Sequence, residues 1–304
     1  MLYIVGYWHL FDYTNAFPEW KNSFTYGLSL IVMGLFVVIS GFLVGGSGKK
    51  SSSLFYFYKT RFVRIYLLYA LAVILFYFYG FNGGATTIKS LFFVAMVYGP
   101  PPTTLWFINM LALFYLATPV LLKLVENSVN YVLAILAVLV VVFIFLATTK
   151  AIDERVLLYF PCYCIGVYCS QYGLKTRAVN IRSAFLLFGI WVIFSFIRID
   201  SWLFNPLKYL SLILSCSYLI FAISHINEDK FKKFKIVSLI SYSSFAMYLF
   251  HRPIFVTLET LYFPEREQLQ VLYLIAVCLP LIVFISWGLQ KLYDIGYVAV
   301  NKVT

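Results

Sequence analysis

Apolar runs of about twenty residues recur along almost the whole sequence, and no other feature limits its fold so tightly. An α-helix rises about 1.5 Å per residue and a bilayer core is about 30 Å thick, so about 20 apolar residues cross it. Such runs occupy 26–46, 65–81, 103–122, 129–149, 156–173, 183–197, 209–227, 236–258 and 269–290. The run 183–197 is short, but Arg182 and Arg198 flank it and can snorkel to the two interfaces. Residues 1–11 (MLYIVGYWHLF) are apolar too, yet reach only about half way across, so they are expected to form the second half of a first helix. No basic region precedes them, which makes a poor signal peptide. The run 88–98, ended by Gly99-Pro100-Pro101-Pro102, is too short to span and is expected to be re-entrant or interfacial. The expected fold is an all-α integral membrane protein of about ten transmembrane helices, the first incomplete. It forms a single transmembrane domain over 1–304, with no soluble domain.

Composition agrees. Hydrophobic residues make up 62% of the 304 and charged residues 12%, with a mean hydropathy of +0.89. A cytosolic enzyme, a disordered tail and a disulfide-stapled secreted module are excluded. The net charge of +11 would raise nucleic-acid binding in a soluble protein, but in a membrane protein the first question is which side the cations occupy. With the N-terminal side inside, the inner loops carry 15 of the 23 Lys and Arg residues and the outer loops 8. That excess places both termini in the cytoplasm and accounts for the charge without nucleic acid. Cys162, Cys164, Cys169, Cys216 and Cys278 all lie in apolar runs, without C-x-x-C spacing, and read as small buried apolar residues.

Polar groups at membrane depth are costly and are the first candidates for function. His9 sits near the outer end of the first helix, with Asp12 three residues on and on the same helical face. His251, in SYSSFAMYLFHRPIF, reaches similar depth on the outer side, whereas His225 lies at the inner end of its helix. An imidazole there can take a proton from a substrate hydroxyl. The plainer alternative is that each His anchors a helix end in the headgroup zone, as Tyr and Trp do. On the inner side, KKSSSLFYFYKTRFVRIY carries Lys59, Arg61 and Arg64. Arg61 and Arg64 are three apart, so two guanidinium forks can converge on a pyrophosphate or nucleotide phosphate, or simply fix topology at the headgroups.

Other signatures fail. GGSGKK lacks a phosphate-loop pattern, with Leu43 where Gly is required and Lys50 where Ser or Thr is required. No G-x-S-x-G elbow or H-E-x-x-H helix occurs, and no metal site is expected. Asp153 and Glu154 are adjacent and point different ways, so they make no paired-carboxylate site. Pro280 and Ser40-Gly41 are positions where a helix can kink or backbones can approach closely.

Four segments, taken in order, resemble the membrane acyltransferase-3 family, whose bacterial members acylate sugars of lipopolysaccharide, capsule and related glycans. They are GLFVVISGFLVG (34–45), YKTRFVRIYLLY (58–69), LWFINMLALFYLATPVLL (105–122) and ISYSSFAMYLFHRPI (240–254). The resemblance implies transfer of an acyl group, usually acetyl, from cytoplasmic acyl-CoA to a sugar hydroxyl presented from the outer side. The acceptor would be a surface glycan or a lipid-linked sugar, and the location the bacterial inner membrane. It also implies that His9 matches the family's first-helix His and acts as general base, with Asp12 orienting it and His251 nominated second. Arg61 and Arg64, with Lys59 beside them, match the basic motif linked with acyl-CoA. The Arg that precedes the family's His would fall two residues before Met1, so an upstream start or a truncated, inactive copy is an expectation to weigh. A non-catalytic polysaccharide or lipid permease is the rival from another class. The acceptor sugar, the acyl group and the oligomeric state are not legible in the sequence.

Overall fold

The computed structural model describes residues 1–48, 53–149, 151–172, 189 and 235–303. Among these, regular structure is helical and no strand occurs. The helices are α1 (Ser23–Gly48), α2 (Leu54–Phe78), α3 (Gly84–Leu91), α4 (Trp106–Leu124), α5 (Ser128–Thr149), α6 (Glu154–Tyr172), α7 (Lys235–Leu261), α8 (Glu267–Tyr273) and α9 (Leu279–Val303). The expected run 209–227 lies outside the described residues, as do His225, Cys216 and, apart from Gly189, the run 183–197.

Four helical stretches among the described residues are long and apolar enough to cross a membrane: Phe24–Ser47, Leu54–Phe78, Trp106–Leu124 and Glu267–Tyr297. Helices also form over the expected runs 156–173 and 236–258, as α6 and α7. In α7 the apolar pattern is diluted by Ser241, Ser243, Ser244, His251 and Arg252, and both Ser243 and His251 are buried. Ser243 Oγ donates to the Leu239 carbonyl at 2.9 Å, which offsets the cost of its burial.

Element boundaries follow local chemistry. α2 ends where Gly80 takes a left-handed φ of 73°, a conformation glycine adopts without a Cβ penalty. Of the run 88–98 only the first residues are helical, in α3. Lys89 Nζ turns back to donate to the carbonyls of Tyr98 and Gly99 at 2.6 and 2.7 Å, which closes the segment into a compact turn. Between α8 and α9 the chain widens into a π-turn, Leu274–Cys278, directly before Pro280. Proline lacks an N–H and crowds the carbonyl four residues back, and the wider turn relieves that crowding.

The first eleven residues do not form half of a regular α-helix, contrary to the sequence expectation. Ile4–Trp8 is a π-turn and Leu10–Asp12 a 3₁₀ turn, with His9 at the junction. A continuous α-helix would place His9 and Asp12 one above the other only loosely. Tightening to 3₁₀ geometry eclipses positions i and i+3 and brings the two side chains together.

The chain divides into two units. Unit 1 takes in Met1–Val32, Arg64–Tyr79 and the described part of Asn227–Thr304. Its core joins Val5, Leu10 and Phe11 of the N-terminal turns to Met247 and Phe255 of α7, Leu274 and Cys278 of the π-turn, and Ile282 of α9. Thr14 Oγ1 donates to Gln270 Oε1 at 2.8 Å and adds a polar tie to α8. Unit 2 takes in Met33–Val63 and the described part of Gly80–Ile226. There Gly41 of α1 and Gly166 of α6 let two backbones meet, which settles the role of Gly41 as close approach. A Cβ on Gly166 would sit 2.8 Å from the Phe42 nitrogen and run into the Val38 carbonyl. Such contacts matter in lipid, where packing rather than water exclusion holds helices together. Thr118 and Tyr163 share a buried 2.6 Å hydrogen bond, and Tyr131 Oη donates to the Cys164 carbonyl at 2.8 Å. Cys162, Cys164, Cys169 and Cys278 are free and buried, as their apolar surroundings imply.

Candidate active site

Five side chains meet in unit 1. His9 Nδ1 lies 3.0 Å from Asp12 Oδ2, across the 3₁₀ turn. Arg252, from α7, donates through Nη2 to the same oxygen at 2.7 Å. Lys21 follows the short 3₁₀ turn Pro18–Trp20 and donates to Asp12 Oδ1, while its ammonium lies 5.1 Å from the centre of the Trp8 ring. His251, next to Arg252 on α7, places its ring 5.0 Å from that of His9, tilted by 32°. His9, Asp12 and His251, singled out from the sequence, are thus brought together.

The protons in this cluster can be assigned from their partners. Burial by itself would raise the Asp12 carboxyl. The hydrogen bonds from His9 and Lys21 and the charge of Arg252 outweigh it and hold the group well below the usual carboxylate range. An ionised carboxylate only accepts, so His9 Nδ1 carries a proton and donates it, leaving a lone pair on Nε2. Arg252 Nη2 lies 3.1 Å from His9 Nδ1 because both donors converge on one carboxylate oxygen. His251 Nδ1 lies 3.1 Å from the Met247 carbonyl and 2.9 Å from that of Tyr248. Carbonyls also only accept, so this Nδ1 carries a proton and Nε2 again holds a lone pair. His251 is 0% exposed, and its Nε2 has no hydrogen-bond partner among the described residues. The His9 side chain keeps 13% exposure, so one imidazole of the pair reaches the surface and the other is fully buried.

Such an arrangement can serve chemically as a base with an orienting carboxylate. Asp12 fixes the His9 ring and tautomer, and it offsets the charge that appears when Nε2 takes a proton. Arg252 and Lys21 in turn fix Asp12. These two were not singled out from the sequence, where they counted only as outer-loop cations in the topology census. The readable signal was Asp12 itself, an acid beside an apolar run in a chain with 12 acidic residues against 23 basic, which has to recruit cations.

Lys59 and Arg61 belong to unit 2, Arg64 to unit 1. Lys59 and Arg64 are exposed. The Arg61 guanidinium lies over the Phe57 ring at 3.8 Å and donates to the Phe57 carbonyl at 3.0 Å and to Ser47 Oγ. The Arg64 carbonyl accepts from Tyr293 Oη at 2.9 Å. Asp153 holds Arg155 through both carboxylate oxygens at 2.7 Å and does not pair with Glu154. Among the described residues no group of three or more His, Cys, Asp or Glu is placed to hold a metal ion.

The acyltransferase-3 family model, described as an acyltransferase domain, matches residues 1–290. No curated protein and no solved structure matches the chain.

Proposed function

Because the chain belongs to the acyltransferase-3 family, and is on that ground an acyltransferase with membrane-crossing helices, we propose that it moves an acyl group, acetyl first, from cytoplasmic acyl-CoA to a sugar hydroxyl. The acceptor in this reading is a cell-surface glycan or its lipid-linked precursor. The protein sits in a bacterial inner membrane with both termini in the cytoplasm, as the loop charges favour. Arg61, Arg64 and Lys59 are assigned to the phosphates of the donor, on the strength of the basic motif and of the fit of guanidinium forks to phosphate.

The single observation that carries the reading is the 3.0 Å contact between His9 Nδ1 and Asp12 Oδ2, from which the proton at Nδ1 and the lone pair at Nε2 are assigned. Nε2 takes the proton of the acceptor hydroxyl as its oxygen bonds to the acyl carbon. The bond that held the acyl group breaks, its electron pair leaves with the departing sulfur or other carrier, and the proton on His9 is free to return to that group. Base catalysis of this kind contributes about 10²–10⁴-fold.

The test is proton NMR of the surface glycan from cells with the gene, without it, and with His9→Ala. A base-labile acetyl signal that depends on the gene and on His9 supports the reading. The same signal at full strength in the His9→Ala cells would falsify the role of His9. Its absence from cells with the intact gene, together with no consumption of acyl-CoA, would overturn acyl transfer altogether.

A further inference from the structure

The cluster in unit 1 offers two imidazole lone pairs, and the proposed reaction uses one. His9 Nε2 is freed because its other nitrogen is bound to Asp12. His251 Nε2 is freed because its other nitrogen is bound to the carbonyls of Met247 and Tyr248. Nothing among the described residues donates to His251 Nε2, although the residue is fully buried. A buried acceptor without a donor is costly, and such groups in folded proteins usually await a ligand or a water. The cations nearby do not fill the role, since Lys21 and Arg252 Nη2 are turned to Asp12.

A ligand that satisfies both rings must bring two O–H donors close together, because the ring centres are only 5.0 Å apart. One hydroxyl carries one proton and can serve only one of the two nitrogens. We infer that His251 receives a second hydroxyl of the acceptor, on the carbon next to the one acylated, so that the site selects vicinal diols over isolated hydroxyls. This rests on the acyltransferase reading of the same cluster and adds a residue that determines specificity. His9 meets the hydroxyl that reacts, and His251 meets its neighbour. Simple alcohols and lipid alcohols with one hydroxyl leave the buried nitrogen unmet, and a site built around a polar contact discriminates against the analogue that lacks it.

The experiment uses the full chain in lipid nanodiscs with ¹⁵N-labelled histidine, without acyl-CoA. Its three histidines give few enough ring signals to follow, and His251→Phe identifies those of His251. His251→Gln serves the same purpose if the Phe variant does not fold. The probes are 1,2-cyclohexanediol and cyclohexanol. The expected result is that the unprotonated His251 Nε2 resonance moves toward a hydrogen-bonded position with the diol and stays in place with cyclohexanol. No movement with the diol, or equal movement with both, overturns the inference.

A second reading uses [¹⁴C]acetyl-CoA. The wild-type protein should acetylate the diol about ten- to a hundredfold faster than cyclohexanol, the effect of one buried hydrogen bond. The His251→Phe variant should bring that ratio close to one, and an unchanged ratio overturns the inference. A diol-dependent resonance shift without any acetyl transfer would leave the diol site standing and sink the acyltransferase reading, so the two failures are separable.

Discussion

Asp12 and Arg252, 240 residues apart in the chain, share a 2.7 Å hydrogen bond between opposite charges. It ties the turns at the start of the sequence to α7, and it fixes the carboxylate against which His9 sets its ring. The carboxylate retains 28% exposure and Arg252 16%, so the pair is neither a loose surface contact nor a sealed interior one.

Replacing Asp12 by Asn keeps the shape and removes the charge. Lys21 and Arg252 then lose their counter-ion, and His9 loses a partner that can only accept, so its tautomer is no longer fixed. The expected cost is about 1–3 kcal/mol of stability, in the range of hydrogen bonds to charged groups. Thermal unfolding in detergent should show it as a lower midpoint. Acyl transfer should fall more steeply than stability, since the wrong tautomer leaves no lone pair where the hydroxyl arrives.

His9→Gln should lower the rate of acyl transfer by about 10²–10⁴-fold, the usual contribution of a positioned base. KM for acyl-CoA should stay within a few fold, because the phosphates of the donor are assigned to other residues. Steady-state kinetics on purified protein separate the two. A raised KM at full turnover would mean that His9 binds the donor.

The pH dependence of stability has a definite sign. Asp12 is held below the usual carboxylate range in the folded protein, so its contribution is fully present above the unfolded value of about 3.9 and is lost as pH falls toward the folded one. Wild-type protein should therefore lose more of its unfolding midpoint between pH 6 and about pH 3 than Asp12→Asn does. Equal losses would show that the charges around Asp12 stabilise nothing.

Glycines in α1 differ in what surrounds them. A Cβ on Gly41 would press into the Tyr163 carbonyl and lie 3.2 Å from the Val167 nitrogen, whereas one on Gly46 meets nothing within 4 Å. Gly41→Ala should destabilise by about 1–3 kcal/mol through overpacking, and Gly46→Ala should be neutral or slightly stabilising in a helix. Comparing the two unfolding midpoints checks the α1–α6 contact directly.

Much of this was legible from residue order. The apolar runs over α1, α4, α5 and α9 announced helices, because a period and a length suffice for that. The pairing of His9 with Asp12 was legible as a spacing of three, although the spacing did not reveal the 3₁₀ turn that makes the contact tight. His251 was legible as a polar group at a depth similar to that of His9, but not as its ring neighbour. Its alignment with His9 depends on how α7 folds against the N-terminal turns, which no local pattern encodes. Lys21 and Arg252 were hidden by their own plausibility as topology charges, since a cation near a membrane surface already has a reason to be there. The start of α2 was missed for a related reason: the aromatic and basic stretch before Ile65 is helical although hydropathy alone begins the run later.

The cluster around Asp12 also has a timetable. Three of its members, His9, Asp12 and Lys21, precede α1 in the chain, and the other two, His251 and Arg252, come only with α7. Until α7 is made and inserted, the aspartate can recruit only Lys21, and His9 has neither its neighbouring ring nor the guanidinium that steadies its carboxylate. The five-residue cluster is therefore complete only once α7 has been made. A nascent chain halted before Lys235 carries His9, Asp12 and Lys21 but neither His251 nor Arg252.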